Sequence, residues 1–590
     1  MSEQASGARP ADYVIIAGYM PATLDQFENQ QTAPNTRLPE LIDANAFDVP
    51  AIMGAVRDHE QRPLLKLDGK LANVLDLANY SMAGRRYVDF SAPEEFGRYL
   101  TIANNPCLNG PYIMSFLGRR GFKGRLVPNF VTGRPLLDEI LDSGVKTVMI
   151  STSHIHSIPV LLEVLSHVRE RSPGATIIIG GNGVYRFILN EGASPAFEGL
   201  LAGLMAMVDI AVVEPQGETT LGAVMQALRD GASMDEVPNL ILAGRYGDMR
   251  RTKKQLEQNS LDDNYIRWDE VDPACLGEKV PMQTSRGCVM ACNFCDFWRV
   301  AGRLTLKSIP ALRDELRRLH AANANVRFVQ FTDDDFGVMP GAAGHIDRVT
   351  ERLRDLCKLL IEEGRGLRWS AFIRAQFIDE EIAELMGKAG CELVFMGLES
   401  GDDKILEAMN KRLDVAQGRR AVRLLRENGV GTLGSFLLGY PGETEETLAR
   451  TRDYIADLGL YSYRLFVLQL ARSKPIWNTR EENGLYGFST VWRHKTMDSV
   501  TAASHVPRIV ASVERGYYDG FHPWESYFVL RGKGFTQPEV YELGKLRDAL
   551  VLGAMRDGVP ELQGAEREAL LGKVDALVAR HLPVPARPAP

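Results

Sequence analysis

Apolar runs of four to seven residues recur along this chain, each followed by a stretch long enough for a helix, and no other feature restricts the fold as much. In the N-terminal part Tyr13 to Ala17, Thr147 to Ser151, Thr176 to Ile179, Asp209 to Val213 and Leu240 to Ala243 read as buried strands. Pro159 to Arg171 and Thr220 to Arg229 carry apolar residues at helical spacing. Strand, loop, helix and strand in this order imply right-handed crossovers, a parallel sheet and a doubly wound domain. Ligands of such sheets lie beyond the carboxyl ends of the strands. Those ends here carry Thr152 and Ser153, then Gly180 and Gly181, then Gln216, Gly217 and Glu218. The glycines are expected to let a large ligand approach the backbone.

A second series begins near Met282. Its expected strands are Met282 to Ser285, Phe328 to Thr332, Arg368 to Phe372, Leu393 to Met396, Thr432 to Leu438 and Leu465 to Leu468. Six β/α steps fall short of the eight of a complete TIM barrel, so a partial, more open barrel is expected. The chain is therefore α/β. Residues 1–250 form a Rossmann-like domain with an insertion at about 20–110. A linker over 251–280 includes part of the basic run Met249 to Lys254, read as a solvated surface. A (β/α)6 partial barrel takes 281–480, and a mostly helical region 481–590, with a Pro-rich tail from Pro583 that is expected to be disordered.

Composition narrows the function. With 68 Lys and Arg against 76 Asp and Glu, the net charge of −8 offers no field for a nucleic-acid backbone. At 45% apolar and 24% charged, the chain can bury a large core. The apolar run from Tyr13 to Met20 is too short to span a bilayer, and no secretory leader pattern opens the sequence, so a cytoplasmic location is expected. Seven cysteines do not suggest a disulfide framework: Cys107, Cys275, Cys357 and Cys391 are scattered, whereas Cys288, Cys292 and Cys295 fall within eight residues.

Those three, just after Arg286-Gly287, form a loop able to wrap one face of a metal cluster. A tetrahedral zinc or an ordinary ferredoxin cluster wants a fourth ligand, and none lies at close spacing. Zinc completed by a distant His and inert buried thiols remain open as alternatives. A 4Fe–4S cluster held by three cysteines would leave one iron for an external ligand.

The spacing, with Phe294 before the third Cys, resembles the cluster loop of the radical S-adenosylmethionine (SAM) superfamily. Thr332-Asp333-Asp334-Asp335-Phe336 stands where family members hold the SAM amino group, although acids replace the frequent Gly-Gly-Glu. Gly397-Leu-Glu399-Ser400-Gly401 resembles the segment that approaches the ribose and carboxylate, and Gly434 to Thr444, containing Gly439, the adenine-side motif. Arg374 is placed to pair with the SAM carboxylate. The resemblance thus implies SAM contacts at Phe294, Asp333, Asp334, Arg374, Glu399, Ser400 and Gly439.

The N-terminal segments resemble the cobalamin-binding domain of one large radical SAM subclass, which implies cobalamin contacts at Thr152, Ser153, Gly180, Gly181, Gln216, Gly217 and Glu218. No Asp-x-His-x-x-Gly loop is present, and His154 and His156 lack those neighbours, so cobalamin is expected with its base detached and no protein His on cobalt. Trp298, Tyr461, Tyr463, Arg464, Trp477 and the run Trp492-Arg493-His494 with Thr496-Met497 are candidate substrate contacts. The resemblance implies a methyltransferase acting on a small biosynthetic intermediate, with a flavodoxin or ferredoxin as electron donor. A rearrangement, ring contraction or oxidative cyclisation without methyl transfer, and a non-enzymatic cobalamin or metal sensor, remain as alternatives.

Overall fold

A computed structural model describes residues 11–32, 63–103, 105–155, 158–189, 199, 202–243, 249–340, 346–488, 490–520 and 523–585. The chain divides into two compact units. One takes the residues up to Met20 with Ala103–Gly277 and Arg318–Asn323; the other takes Pro21–Ile102, Glu278–Arg317 and everything from Ala324 onward.

The first unit is built on a seven-stranded sheet. Its strands are β1 (Tyr13–Ile16), β2 (Gly124–Val127), β3 (Thr147–Ser151), β4 (Thr176–Gly180), β5 (Ile210–Val212), β6 (Leu240–Ala243) and β7 (Met249–Arg251), in the spatial order β2-β1-β3-β4-β5-β6-β7. The β2-to-β5 part is parallel, with Ile15 opposite Leu126 and Ile16 opposite Ile150. Every residue of β1 and β3 is buried, as befits strands covered on both faces. The helices Phe130–Asp142 and Ile158–Arg171 pack Leu137, Ile140, Leu161 and Val164 onto this core.

Three features differ from the sequence expectation. The strand Leu240–Ala243 runs antiparallel to β5, not parallel. The basic run begins not as linker but as the edge strand β7, paired antiparallel to β6, where exposed Arg250 and Arg251 keep an open edge charged. β2 carries no strand signal in the sequence because Gly124 and Arg125 leave it only two apolar residues.

The second unit also carries seven strands: β8 (Lys279–Met282), β9 (Phe328–Phe331), β10 (Arg368–Phe372), β11 (Cys391–Glu399), β12 (Gly431–Leu438), β13 (Ser462–Val467) and β14 (Tyr517–Tyr518). Spatial order follows chain order and all neighbours are parallel, the winding of a barrel. Among the described residues β8 and β14 remain edges, so the barrel is open. Helices Ile346–Glu363, Glu380–Lys388, Val415–Glu427 and Glu445–Leu458 fill the gaps. Along β11, Val394, Met396 and Leu398 are buried while Phe395 and Gly397 stay partly open, the period-2 signature of a strand with one covered face.

The first barrel strand ends at Met282, three residues earlier than expected. Ser285–Arg286 instead pairs antiparallel with Thr305–Leu306, a small clasp that closes the loop bearing the three cysteines. The supposed insertion belongs with this unit from Pro21 to Ile102. Its helix Val74–Met82 packs on the C-terminal helix Gly564–Val578, where Ser81 Oγ (2.7 Å) and Arg85 Nη2 (2.9 Å) donate to Asp575. Beyond residue 481 the chain is mostly helical, as expected, with a hairpin Tyr486–Phe488/Val491–Arg493. The last five residues of the Pro-rich tail lie outside the described residues.

Candidate functional site

Between the two arms of the clasp, the cysteine loop is held from several sides. Asn293 N donates to Met409 O (2.9 Å), Asn293 Nδ2 to Ala408 O (2.8 Å) and Asn410 Nδ2 to Ala291 O (2.7 Å). The turn supplying these contacts places Asn410 and Arg412 in the left-handed region, at φ 51° and 55°. Backbone N–H groups of Met290 and Phe297 point at the sulfurs of Cys288 and Cys295, both at 3.4 Å. Burial pushes the Cys288 thiol up to about 12, with Asp335 and Asp334 adding to it, and burial raises Cys295 as well. Ligation to a cation favours the thiolates and would release their protons.

The three aspartates after β9 divide their work. Asp333, fully buried, accepts from Thr284 N (3.0 Å), Thr284 Oγ1 (2.7 Å) and Ser285 Oγ (2.6 Å). Asp334 Oδ2 accepts from Gly287 N at 2.7 Å. Both carboxylates therefore hold the entry to the cysteine loop. Asp335 is buried, and neither of its carboxylate oxygens has a hydrogen-bond partner. Burial pushes it up to about 7, and Arg374 and Lys411 pull it back. A buried, unbonded carboxyl beside a thiol cluster is costly unless a cationic or donating group completes it.

Two buried cations stand in the same place. Arg374 Nη1 donates to Cys292 Sγ at 3.5 Å, and Nη2 donates to Lys411 O. Lys411 Nζ bonds Glu399 Oε1 at 2.7 Å and lies 5.7 Å from the centre of the Phe294 ring. The expected positions Phe294, Arg374 and Glu399 are thus brought together with Asp335, Lys411 and the cysteines. Sequence reasoning passes over Lys411, which stands in no recognisable motif; its only signal is Asn410, a residue tolerant of the left-handed turn before it. Ser400 and Gly439 lie outside this set of contacts. Ser400 Oγ lies 3.3 Å from Thr451 Oγ1 and accepts from Asp402 N.

Gly439 has φ +83°, and its N–H donates to the buried Glu443, which burial pushes up to about 8. A Cβ there would lie 2.2 Å from Trp492. The Trp492 ring stacks on His494 at 5.2 Å and 6°, and His494 Nε2 meets Gly439 O at 3.2 Å. The Trp-Arg-His-Lys-Thr-Met run is accordingly a brace for this turn. Tyr461 and Tyr463 are core rather than substrate contacts: Tyr463 is fully buried, and Tyr461 packs among Tyr517, Tyr527 and Tyr541. Tyr461 just precedes β13, where large aromatics sit under covering helices.

At the strand ends of the first unit, Thr152 Oγ1 donates to Gly180 O (2.9 Å) and accepts from Val184 N (3.0 Å). A Cβ at Gly181 (φ +102°) would meet Ser153 Oγ at 2.7 Å, and one at Gly183 would meet Thr152 O at 2.7 Å. Gly181 and Gly183 thus let the Thr152–Ser153 turn pack closely, whereas a Cβ at Gly180 would make only an ordinary contact with Val212 at 3.5 Å. Gln216 and Glu218 are bonded too: Asn259 N donates to Gln216 Oε1 (3.2 Å), and Asn259 Nδ2 to Glu218 Oε2 (2.8 Å). Glu257 accepts from Thr219 N and Thr220 N, both at 2.9 Å, and so caps the helix Glu218–Asp230 that follows Gly217. His154 lies against Gly18, and His156 is outside the described residues.

Residues 282–455 match the Radical SAM superfamily model. This segment is a radical SAM domain. An uncharacterized methyltransferase, PH0819, of Pyrococcus horikoshii is 27% identical over 302 residues, covering 50% of this chain and 63% of that protein. An anaerobic magnesium-protoporphyrin IX monomethyl ester cyclase of Rubrivivax gelatinosus is 26% identical over 263 residues, 42% of this chain and 45% of that protein. The match therefore spans less than two thirds of either relative. The radical SAM methyltransferase TsrM from Kitasatospora setae, solved with cobalamin and a [4Fe-4S] cluster, shares the fold. Its TM-score is 0.54 at 16% identity, covering 81% of this chain and 96% of that one. Among the described residues no helix is long and apolar enough to cross a membrane.

The donor set fits the group that a radical SAM domain implies. Among the described residues no three His, Cys, Asp or Glu side chains converge on a single ion, as one tetrahedral zinc requires. Thiolates that grip separate corners of a cube need not converge, and the radical SAM domain includes all three.

Proposed function

We propose that this chain is a cobalamin-dependent radical SAM methyltransferase that places a methyl group on an unactivated carbon of a small biosynthetic intermediate. The observation that carries the SAM site is Asp335, buried and unbonded beside Cys288, Arg374 and Lys411. Cobalamin and methyl transfer are supported by the doubly wound first unit, the fold shared with TsrM and the methyltransferase named among the relatives.

When bound, a 4Fe–4S cluster supplies the electron that splits SAM to a 5′-deoxyadenosyl radical, and cobalamin supplies the methyl group. The chain's own residues do the rest. Cys288, Cys292 and Cys295 hold the cluster as thiolates. Asp335 accepts the SAM ammonium, which satisfies the carboxylate that the fold leaves unpaired. Glu399, oriented by Lys411, faces the ribose, and the turn at Gly439, tied by Glu443, receives the adenine. Phe372 and Phe395, with rings 4.7 Å apart on the open face of the barrel sheet, keep water from the reacting carbon. Thr152, Ser153, Gly180 and Gly181 form the floor for the corrin, and Gln216, Gly217 and Glu218 set the loop beside it. No His is assigned to cobalt, so His154→Ala leaves the bound cobalamin spectrum unchanged. The electron donor is a flavodoxin or ferredoxin, and the compartment is the cytoplasm.

Anaerobic protein with iron, sulfide and cobalamin, incubated with methyl-deuterated SAM and extracts of its own cells, tests this. The expected result is a deuterium-labelled product with both 5′-deoxyadenosine and S-adenosylhomocysteine. The cyclase among the relatives favours one second reading, an oxidative cyclisation with the same cofactors. That reading yields 5′-deoxyadenosine, little S-adenosylhomocysteine and an unlabelled product.

A further inference from the structure

We propose that Arg374 serves the cluster rather than the SAM carboxylate, donating to the Cys292 thiolate and so raising the potential at which the cluster takes its electron. The inference rests on the reading of the three cysteines as cluster ligands. Arg374 sits between β10 and the 3-10 turn Ala375–Phe377, and it is buried. A buried guanidinium must spend its donors on nearby acceptors, and here those acceptors belong to the chain itself. Nη1 goes to Cys292 Sγ at 3.5 Å. Nη2 goes to Lys411 O. Gln376, with its amide turned so that both of its polar atoms are satisfied, accepts from Nε at 2.8 Å and from Nη2 at 3.1 Å. The main-chain carbonyl and the amide of Gln376 act as two fixed points that aim the remaining edge of the fork at the sulfur. Lys411 is itself fixed through Glu399 and its flanking left-handed residues, so the guanidinium cannot swing toward a ligand without breaking the 408–412 turn.

The consequence is electrostatic. Reduction adds one negative charge to a cluster, and a fixed cation bonded to a ligand sulfur stabilises the reduced form more than the oxidised one. Its removal makes the cluster harder to reduce. A planar fork also differs from an ammonium: Lys at 374 keeps the charge but gives up the simultaneous contacts to sulfur, carbonyl and amide.

The test uses the full-length protein reconstituted anaerobically with iron and sulfide, as wild type, R374Q and R374K. Iron and sulfide are counted, the reduced cluster is followed by electron paramagnetic resonance at a fixed poise, and SAM binding is measured separately. In R374Q the ratio of reduced to oxidised cluster is expected to fall about tenfold, equivalent to 59 mV for a one-electron couple. R374K is expected to fall between R374Q and wild type. A loaded R374Q cluster with the wild-type ratio overturns the proposal, and does so in favour of the SAM carboxylate if SAM affinity alone has dropped. If R374Q takes up no iron, the comparison passes to R374K, where a lowered ratio supports the proposal and an unchanged ratio overturns it. Failure of both variants to load overturns it too, since the residue would then be needed for assembly. A wild-type chain that binds no cluster overturns the proposed function and this inference together, whereas an unchanged potential in a loaded variant leaves the proposed function standing.

Discussion

Neighbouring identical residues can have opposite duties, and the three consecutive aspartates after β9 separate cleanly by partner. Asp333 is spent on Thr284 and Ser285 and Asp334 on Gly287, whereas Asp335 has neither oxygen hydrogen-bonded and faces the charges of Arg374 and Lys411. Two different failures follow. Asp335→Ala leaves iron loading intact and weakens SAM binding by about tenfold or more, the scale of a hydrogen bond to a charged group, as titration calorimetry will show. Asp333→Ala frees the backbone before Cys288, and iron content per chain falls before any SAM is added. Replacing all three cysteines by Ala abolishes both iron loading and 5′-deoxyadenosine formation; SAM cleavage surviving in that variant would refute the cluster assignment. The sequence expectation named Asp333 and Asp334 in this stretch and passed over Asp335, because a motif cannot say which of three adjacent carboxylates points where when successive side chains diverge at a strand end.

At the scale of elements, the turn after β12 and the Val491–Arg493 hairpin stabilise one another. Gly439→Ala puts a methyl against the Trp492 ring and a side chain at φ +83°, at a cost of about 2–4 kcal/mol from overpacking and left-handed strain combined. A lowered urea midpoint measures it. The same turn carries a pH signature through Glu443. Its folded value of about 8 lies above the ordinary carboxylate range, so the folded state holds a proton that the unfolded chain has already lost. Its contribution is present below about pH 4.5 and is lost as pH rises through about 8. Glu443→Gln, which keeps an acceptor for the Gly439 and Tyr440 N–H groups, therefore flattens the fall in Tm of the metal-free protein between pH 5 and 8 by a few degrees. Equal slopes in the two proteins would show that another group carries the dependence.

For the whole molecule, the informative contact joins residues nearly five hundred positions apart. Asp575 on the last helix receives Ser81 and Arg85 from the early segment, and Arg547 Nη2 reaches Pro63 O at 3.3 Å. Asp575→Ala is expected to cost about 1–3 kcal/mol by leaving a half-buried guanidinium short of its partner, read as a lower denaturation midpoint. Arg85 keeps its contact to Glu568, which limits the loss.

Two things are legible from the order of residues alone: the period of the strands and helices, and the cysteine loop with the motifs that follow it in turn. Both depend on residues close together in the chain. The parallel core of the first sheet and the open barrel follow from them. Folding alone settles the rest. The antiparallel β6 and β7, the affiliation of Pro21–Ile102, the bracing role of Trp492 and His494, and the meeting of Lys411 with Glu399 and Arg374 all depend on contacts between distant segments. Such contacts leave no periodic trace, because their energy is realised only when loops far apart in the chain have already closed.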